Sequence, residues 1–343
     1  GRTQGPVLAV GTRSALFLPI RNLGLLVLDE EHDESYRQEE RLPYNAKELA
    51  YYRMRLAGGL LVLGSATPDL KTYHAAGEGR MSTLRLARRV GDTELPTVRL
   101  VAAPGADGKA ADPDAPLGAE AAQRLRQVVD AGDQAIILLN RRGYAPLMYC
   151  KDCGKTVKCT DCEVGLTYHK ARERLLCHYC GKSLAWPLVC PDCGGTDFLP
   201  MGGGTERLEE YLKKHFRDVP ALRLDRDAVR RQERLEETLA AFREGRAQIL
   251  VGTQMLSKGH HFPGVTLVVA ADGDLGLNLP DYRSAERSFH LLVQVAGRAG
   301  RGERPGEVLI QTRNPDLPFW KHVLNQDYEA FYAEEIEKRL GIP

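Results

Sequence analysis

The stretch Leu25-Leu26-Val27-Leu28-Asp29-Glu30-Glu31-His32 joins four apolar residues to adjacent carboxylates. A short apolar run of this kind predicts a buried strand, and open α/β sheets place their ligands beyond the carboxyl ends of strands. An apolar strand ending in Asp-Glu suits nucleotide hydrolysis: one carboxylate holds Mg2+ and the next polarises water. Such a site needs a backbone cradle for phosphates and an arginine for the charge of the transferring phosphoryl group. Gln294-Val295-Ala296-Gly297-Arg298-Ala299-Gly300-Arg301 offers the arginines. Gln294, Arg298 and Arg301 are three or four residues apart, so they point the same way at the end of a helix expected over Tyr282–Val295. Gly297 and Gly300 leave room for a phosphate. The cradle, Gly-x4-Gly-Lys-Thr/Ser, is missing from the sequence. Gly154-Lys155-Thr156 has Tyr149 where its first glycine belongs and lies within a cysteine knuckle, so it is a decoy.

The second chemical feature is a block of cysteines at 150, 153, 159, 162, 177, 180, 190 and 193. Four Cys-x2-Cys knuckles supply eight thiolates, the ligand set of two tetrahedral Zn2+ ions in a reducing compartment; disulfides and Fe–S clusters are the remaining options. The gap from Cys162 to Cys177 is a usual ribbon length, whereas that from Cys153 to Cys159 is tight. The spacing therefore favours a nested pairing, with Cys159, Cys162, Cys177 and Cys180 on one ion and Cys150, Cys153, Cys190 and Cys193 on the other. His169 and His178 are spare and are expected on the surface rather than as ligands. Residues 150–193 carry seven Lys or Arg against five Asp or Glu. Two zinc ions on eight thiolates turn that balance negative, which argues against a phosphate-coating surface. The block then acts by shape, as a wedge between paired strands or a docking face for a protein. Tyr168, Tyr179 and Trp186 suit base stacking and the core of a small module equally.

The elements that position these groups follow a βα rhythm. Val7–Val10 predicts a short strand ending in Gly11-Thr12-Arg13-Ser14, whose donors suit a phosphate oxygen. The loop from His32 to Tyr44 carries Tyr36, Arg37 and Tyr44, residue types that stack on bases and grip phosphates. Asn45 caps a helix running to about Leu56 and closing at Gly58-Gly59. Leu60–Leu63 is a strand that ends in Gly64-Ser65-Ala66-Thr67-Pro68. Residues 102–116 lack large apolar side chains and mark a linker. Beyond it, helices are expected at Gly118–Asp130, Thr205–Phe216 and Ala228–Phe242. Strands are expected at Gln134–Leu139, Ala221–Leu224, Gln248–Val251, Thr266–Ala271 and Glu307–Gln311, and Leu317–Leu340 reads as an amphipathic helical tail. Thr253 with Ser257-Lys258-Gly259 forms another loop at a strand's carboxyl end, suited to a nucleic-acid backbone.

The fold class is thus α/β: two parallel-sheet lobes with a cysteine-rich insertion in the second. The lobes are expected at 1–101 and at 117–149 with 194–316, joined by the linker 102–116. The insertion occupies 150–193, and a helical segment follows at 317–343. The composition of the 343 residues is that of a soluble globular protein, and a net charge of +1 excludes a basic protein that coats nucleic acid. No apolar run is long enough to span a membrane.

Gly11–Phe17, Asp29–Asp33, Gly64–Pro68, Asn140-Arg141-Arg142-Gly143-Tyr144, Gly252–Phe262 and Gln294–Arg301 are similar to motifs Ib, II, III, IV, V and VI of the superfamily 2 helicases. With the eight-cysteine insertion after the fourth motif, the chain resembles the primosomal replication-restart branch of those DNA helicases. The resemblance implies two RecA-like lobes and a 3′-to-5′ ATP-dependent helicase that unwinds DNA at stalled forks and helps reload the replicative helicase. It implies that Asp29 coordinates Mg2+, that Glu30 activates water, and that Arg298 and Arg301, helped by Gln294, stabilise the γ-phosphate of ATP. Ser65 and Thr67 would couple nucleotide to DNA. The His32–Tyr44 loop would link single-strand binding to hydrolysis. Arg13, Arg141, Thr253 and Lys258 would contact DNA or couple the lobes.

The implied partners are forked or single-stranded DNA, primosomal proteins, single-strand-binding protein and the loader of the replicative helicase. The implied setting is a monomer at the bacterial nucleoid, in the cytoplasm. The family places the phosphate loop upstream of residue 1, so the chain is expected to be a fragment without ATPase activity of its own. A non-catalytic scaffold that binds forks and assists helicase loading is the alternative. An RNA helicase is disfavoured by the cysteine insertion.

Overall fold

A computed structural model describes residues 7–39, 42–86, 95–104, 115–139, 147–162, 164–169, 172–186, 189–201, 204–224, 232–257, 261–279, 281–300, 302 and 304–341. They divide into two compact units, Gly1–Arg85 and Leu86–Pro343. The first contains β1 (Leu25–Leu28), β2 (Arg37–Gln38), β3 (Tyr44–Asn45), α1 (Ala46–Ala57), β4 (Leu60–Leu63) and α2 (Leu70–Gly77). β1 and β4 are parallel, paired from Leu25↔Leu60 to Leu28↔Leu63, so both strands deliver their polar turns at the same end. α1 begins and ends where its sequence says. The Asn45 side chain accepts the Lys47 N–H at 3.0 Å, and Gly58 closes the helix at φ 64°, a left-handed conformation open to glycine. Leu16, Leu28, Ala46 and Ala50 form the centre of this unit, with Leu26, Leu61 and Leu63 against them.

Val7–Val10 is not a strand. These residues find no pairing partner among the described residues and lie exposed, Leu8 and Val10 at 89% each, before a 3-10 turn over Arg13–Phe17. Apolar character without a neighbouring strand to pair with does not make one.

The second unit opens with β5 (Thr97–Ala102), α3 (Ala119–Asp130) and β6 (Gln134–Leu138). A cysteine-bearing module follows, built from β7 (Leu147–Cys150), β8 (Thr167–His169), β9 (Arg174–Leu176), β10 (Ser183–Ala185) and β11 (Phe198–Met201). The βα pattern then resumes as α4 (Gly204–His215), β12 (Ala221–Leu224), α5 (Gln232–Arg243), β13 (Ile249–Gly252), β14 (Val265–Ala270), α6 (Asp274–Leu277), α7 (Ser284–Ala296), β15 (Glu307–Thr312), α8 (Phe319–Asn325) and α9 (Tyr328–Leu340). Six parallel strands form one sheet in the order β12-β13-β6-β14-β15-β5. β6 and β13 are buried along their whole length, as strands covered on both faces must be. On one face Leu125 and Val128 of α3 and Leu208 and Leu212 of α4 close over Ile137, Val251, Val269 and Leu309. α7 packs on β14. No helix among the described residues is long and apolar enough to cross a membrane.

Three features differ from the sequence reading. Thr97–Val101, assigned by sequence to the first lobe, and Ala102, assigned to the linker, form the edge strand of the second unit's sheet, paired with β15 from Thr97↔Glu307 to Ala102↔Thr312. Arg99 and Arg124 clamp it by sharing Glu307, at 2.7 Å and 2.6 Å. Most of the linker expected at 102–116 lies outside the described residues. The tail is two helices rather than one: Gln326 turns left-handed at φ 51°, and the Asp327 side chain caps α9 by accepting from Ala330 N–H. The insertion runs wider than 150–193, because β7 and β11 pair antiparallel from Leu147↔Met201 to Cys150↔Phe198 and close the module at its base.

Candidate functional site

Asp29 and Glu30 leave β1 in a tight turn. Asp29 is exposed, and its Oδ1 accepts the N–H of Glu30 at 3.0 Å. Glu30 adopts φ 48°, uncommon for a residue with a side chain and a local strain of the kind found at functional turns. The ladder then continues into the turns, with Gly64 N–H on Leu28 O at 2.9 Å and Glu31 N–H on Gly64 O at 3.0 Å. This brings His32 to Ser65, 33 residues away, with Nδ1 and Oγ 2.7 Å apart. Ser65 Oγ also accepts the Thr67 N–H at 3.0 Å, and Thr67 is buried. The two polar turns read from sequence as separate features are therefore one hydrogen-bonded assembly.

Sequence reasoning passed over the residue that anchors it. Glu31 is 3% exposed and accepts hydrogen bonds from Lys47 Nζ at 2.6 Å, Thr72 Oγ1 at 3.0 Å and Asp69 N–H at 2.7 Å. A buried carboxylate is tolerable when it is paired and fully hydrogen-bonded. Asp69 in turn caps α2. The available signal was a third acid directly after Asp29-Glu30, with a lysine in the first turn of the following helix.

The residues expected to meet nucleic acid are engaged within the unit. Arg13 Nη1 donates to the carbonyls of Ser35 at 2.9 Å and Arg37 at 2.8 Å, fastening the loop rather than facing an open phosphate position. Tyr36 donates its hydroxyl to Asp29 O at 2.7 Å; burial first, then the charges of Asp29, Asp33, Glu30 and Glu31, push its phenol up. Tyr44 is half-buried with its ring edge-on to Phe17 at 5.3 Å, and Arg37 is half-buried in β2.

In the second unit Gln294 lies half-buried on α7, and Arg298, 6% exposed, sits in the turn that follows. Arg298 N–H reaches Val295 O at 2.9 Å, and Gly300 N–H ties the turn to Val265 O at 3.1 Å. Gly300 holds φ 69°, and a Cβ there would stand 2.6 Å from Gly306 N. Its glycine is thus required by backbone packing within the unit, a reason independent of phosphate approach. Thr253 is half-buried just past β13. Arg301, Arg141 and Lys258 lie outside the described residues.

The eight cysteines gather into two groups of four, Cys150, Cys153, Cys190 and Cys193 in one, Cys159, Cys162, Cys177 and Cys180 in the other. The nested pairing is the one the structure adopts. All eight are free thiols, and Cys150–Cys193, Cys153–Cys190 and Cys159–Cys180 each place their sulfurs 3.7 Å apart. Sulfurs at about 2.3 Å from a central ion define a tetrahedron with edges of roughly 3.8 Å. The geometry fits zinc and excludes disulfides among these thiols. Burial pushes the Cys177 thiol up, but N–H groups of Cys180 and Tyr179 outweigh it and hold it at about 7. Cys190 is lowered in the same way by Cys193 and Asp192. Tyr168 and Trp186 are half-buried against the module's core, their rings 5.3 Å apart and Trp186 in turn 5.2 Å from Phe198. Tyr179 is exposed, and its hydroxyl oxygen accepts the Tyr282 N–H at 3.2 Å. The module is also fixed to the sheet through Arg313, which stacks on Tyr149 at 4.9 Å and pairs with Asp272 at 3.4 Å and Asp274 at 3.7 Å.

Residues 198–303 match the helicase conserved C-terminal domain, and residues 159–183 match the PriA DNA helicase Cys-rich region domain. The replication restart protein PriA of Bacillus subtilis is 42% identical over 332 residues, covering 97% of this chain and 41% of that protein. That of Haemophilus influenzae is 40% identical over 344 residues, covering 100% of this chain and 46% of its own length. The chain belongs to the PriA family. It spans about half or less of the curated PriA relatives it matches, 50% for that of Treponema pallidum. Among solved structures, RecG bound to a three-way DNA junction aligns at a TM-score of 0.45 with 16% identity, covering 91% of this chain and 29% of that one. As a PriA-family chain it carries a match to the helicase conserved C-terminal domain and two four-cysteine clusters in its second unit.

Proposed function

We propose that this chain is part of an ATP-dependent 3′-to-5′ DNA helicase that acts at forks in replication restart. The observation that carries the reading is the His32–Ser65 bond at 2.7 Å, which joins the carboxylate turn to the Ser65-Ala66-Thr67 loop. Asp29, an exposed carboxylate at the end of a parallel strand, has the hard oxygen donors that suit Mg2+. When bound, Mg2+ neutralises charge on the β- and γ-phosphates. Glu30 orients and deprotonates the attacking water. His32 Nδ1 lies 3.6 Å from Glu30 Oε2, so a shift of the Ser65 loop reaches Glu30 through one imidazole. Gln294, Arg298 and Arg301 serve the γ-phosphate. The two four-cysteine clusters hold structural Zn2+, closed to chemistry by their full ligand sets. Forked DNA, primosomal proteins, single-strand-binding protein and a helicase loader are the proposed partners, in the bacterial cytoplasm.

The test is DNA-stimulated ATP hydrolysis by the full-length protein, with Glu30→Gln as control. Fork-stimulated turnover that Glu30→Gln lowers by about 100-fold or more is expected. Turnover equal to that of the variant overturns the enzymatic reading in favour of a fork-binding scaffold.

A further inference from the structure

His169 ends β8, and His178 lies inside the knuckle between Cys177 and Cys180. The β8–β9 pairing, Thr167↔Leu176 to His169↔Arg174, sets His169 opposite Arg174, and the turn that follows β9 carries His178 back to it. Their Nε2 atoms approach to 3.4 Å, with ring centroids 5.3 Å apart. His169 is half-buried and His178 is exposed. Two ring nitrogens aimed at each other across that gap have one of two explanations: they share a proton, or they flank a cation. Nitrogens about 2.0–2.1 Å from a tetrahedral ion stand roughly 3.3–3.4 Å apart, which matches the observed separation. Imidazole is a ligand for zinc, copper and nickel.

The surroundings favour a cation. A zinc ion on four thiolates carries a net charge of about −2, and His178 sits in the loop of that cluster. Backbone N–H groups of Tyr179 and Cys180 on the Cys177 sulfur fix the knuckle, so the His178 backbone is set in advance. Arg174, opposite His169 in register, turns its Nε to Ser183 Oγ at 3.2 Å.

We propose that His169 and His178 form a third metal site, a solvent-open two-imidazole site for a divalent transition-metal ion such as Zn2+, beside the second cysteine cluster. Two coordination positions remain for water. The ion is held more weakly than those in the four-cysteine clusters and exchanges while they stay filled. The site stands whether or not the protein turns over ATP.

The test is a titration of the two-zinc chain with Zn2+ alone, read by equilibrium dialysis and by the Cε1–H resonances of the histidines. Binding is expected to rise from two to three equivalents, with the His169 and His178 signals shifting together. His169→Gln and His178→Gln are each expected to weaken the third equivalent by roughly tenfold or more, with the two tight ions retained. Because His178 lies between cysteine ligands, His169→Gln is the decisive variant; it leaves the knuckle sequence intact. Binding that stops at two equivalents overturns the proposal. So does a third equivalent unchanged in His169→Gln, which would place it at other histidines. Signals that respond to pH but not to Zn2+ also overturn it, in favour of a shared proton.

Discussion

The cysteine module and the six-stranded sheet it interrupts are held together by different means. The sheet buries a continuous aliphatic layer, in which Ile137, Val251, Leu267, Val269 and Leu309 meet α3 and α4. The module's buried set is small and counts Cys159 and Cys177 among its members, beside Met148, Val157, Leu166 and Leu175. About fifty residues of short strands cannot bury enough apolar area to fold on that basis. Two tetrahedral clusters replace the missing core. The same chain thus uses non-directional burial where the strands are long and parallel, and directional ligation where they are short.

The sharpest way to break this contrast is to remove the metal. Chelation is expected to unfold the module, since binding of a structural zinc contributes about 10–16 kcal/mol of folding free energy. Hydrogen exchange should lose protection over 147–201 and keep it over β6, β13, β14 and β15. Collapse of the whole far-UV spectrum would show that the sheet depends on the module. The converse cut is Ile137→Ala in the centre of the sheet, where Ile137 is fully buried. A loss of about 4 kcal/mol is expected in denaturant unfolding, with zinc content by elemental analysis unchanged.

Arg313 tests the joint between the two regions. It is 9% exposed, stacks on the module's Tyr149, and faces Asp272 and Asp274 at the end of the sheet. Arg313→Ala leaves buried carboxylate charge without its cation and should cost about 3 kcal/mol. Exchange at the β7 amides should rise while both clusters stay filled; unchanged β7 protection would mean that the module is held by other contacts.

The smallest effect concerns the edge strand. Burial pushes the Glu307 carboxyl up, but Arg124 and Arg99 outweigh it and hold it below its ordinary value. A lowered carboxyl contributes stability above its ordinary value near 4.5, and that stability is lost as pH falls through the lowered value. Glu307→Gln should therefore melt a few degrees below the parent chain at pH 6, with the gap closing toward pH 3. A gap that persists in acid would assign the loss to packing instead.

Much of the candidate site was legible because it is local. Knuckle spacing named the cysteines, and the tight gap from Cys153 to Cys159 favoured the pairing that the structure adopts. The apolar run before Asp29 placed the carboxylates at a strand end, and Asn45 and Gly58 marked both ends of α1. The illegible parts are those in which distant segments meet. Glu31 reads as one more surface acid until α1 and α2 bring Lys47 and Thr72 to it. Val7–Val10 has the composition of a strand but no neighbour to pair with among the described residues.

By itself, then, the sequence determined which cysteines gather into which group of four, most of the helices and strands, and the α/β class, because these depend on spacing within a few residues. Tertiary structure alone decided that Thr97–Ala102 completes the second sheet, that His32 bonds Ser65, and that His169 faces His178. Those outcomes depend on which segments the chain brings together. Hydrogen bonds and ion pairs act over a few ångströms in space, whatever the distance along the chain.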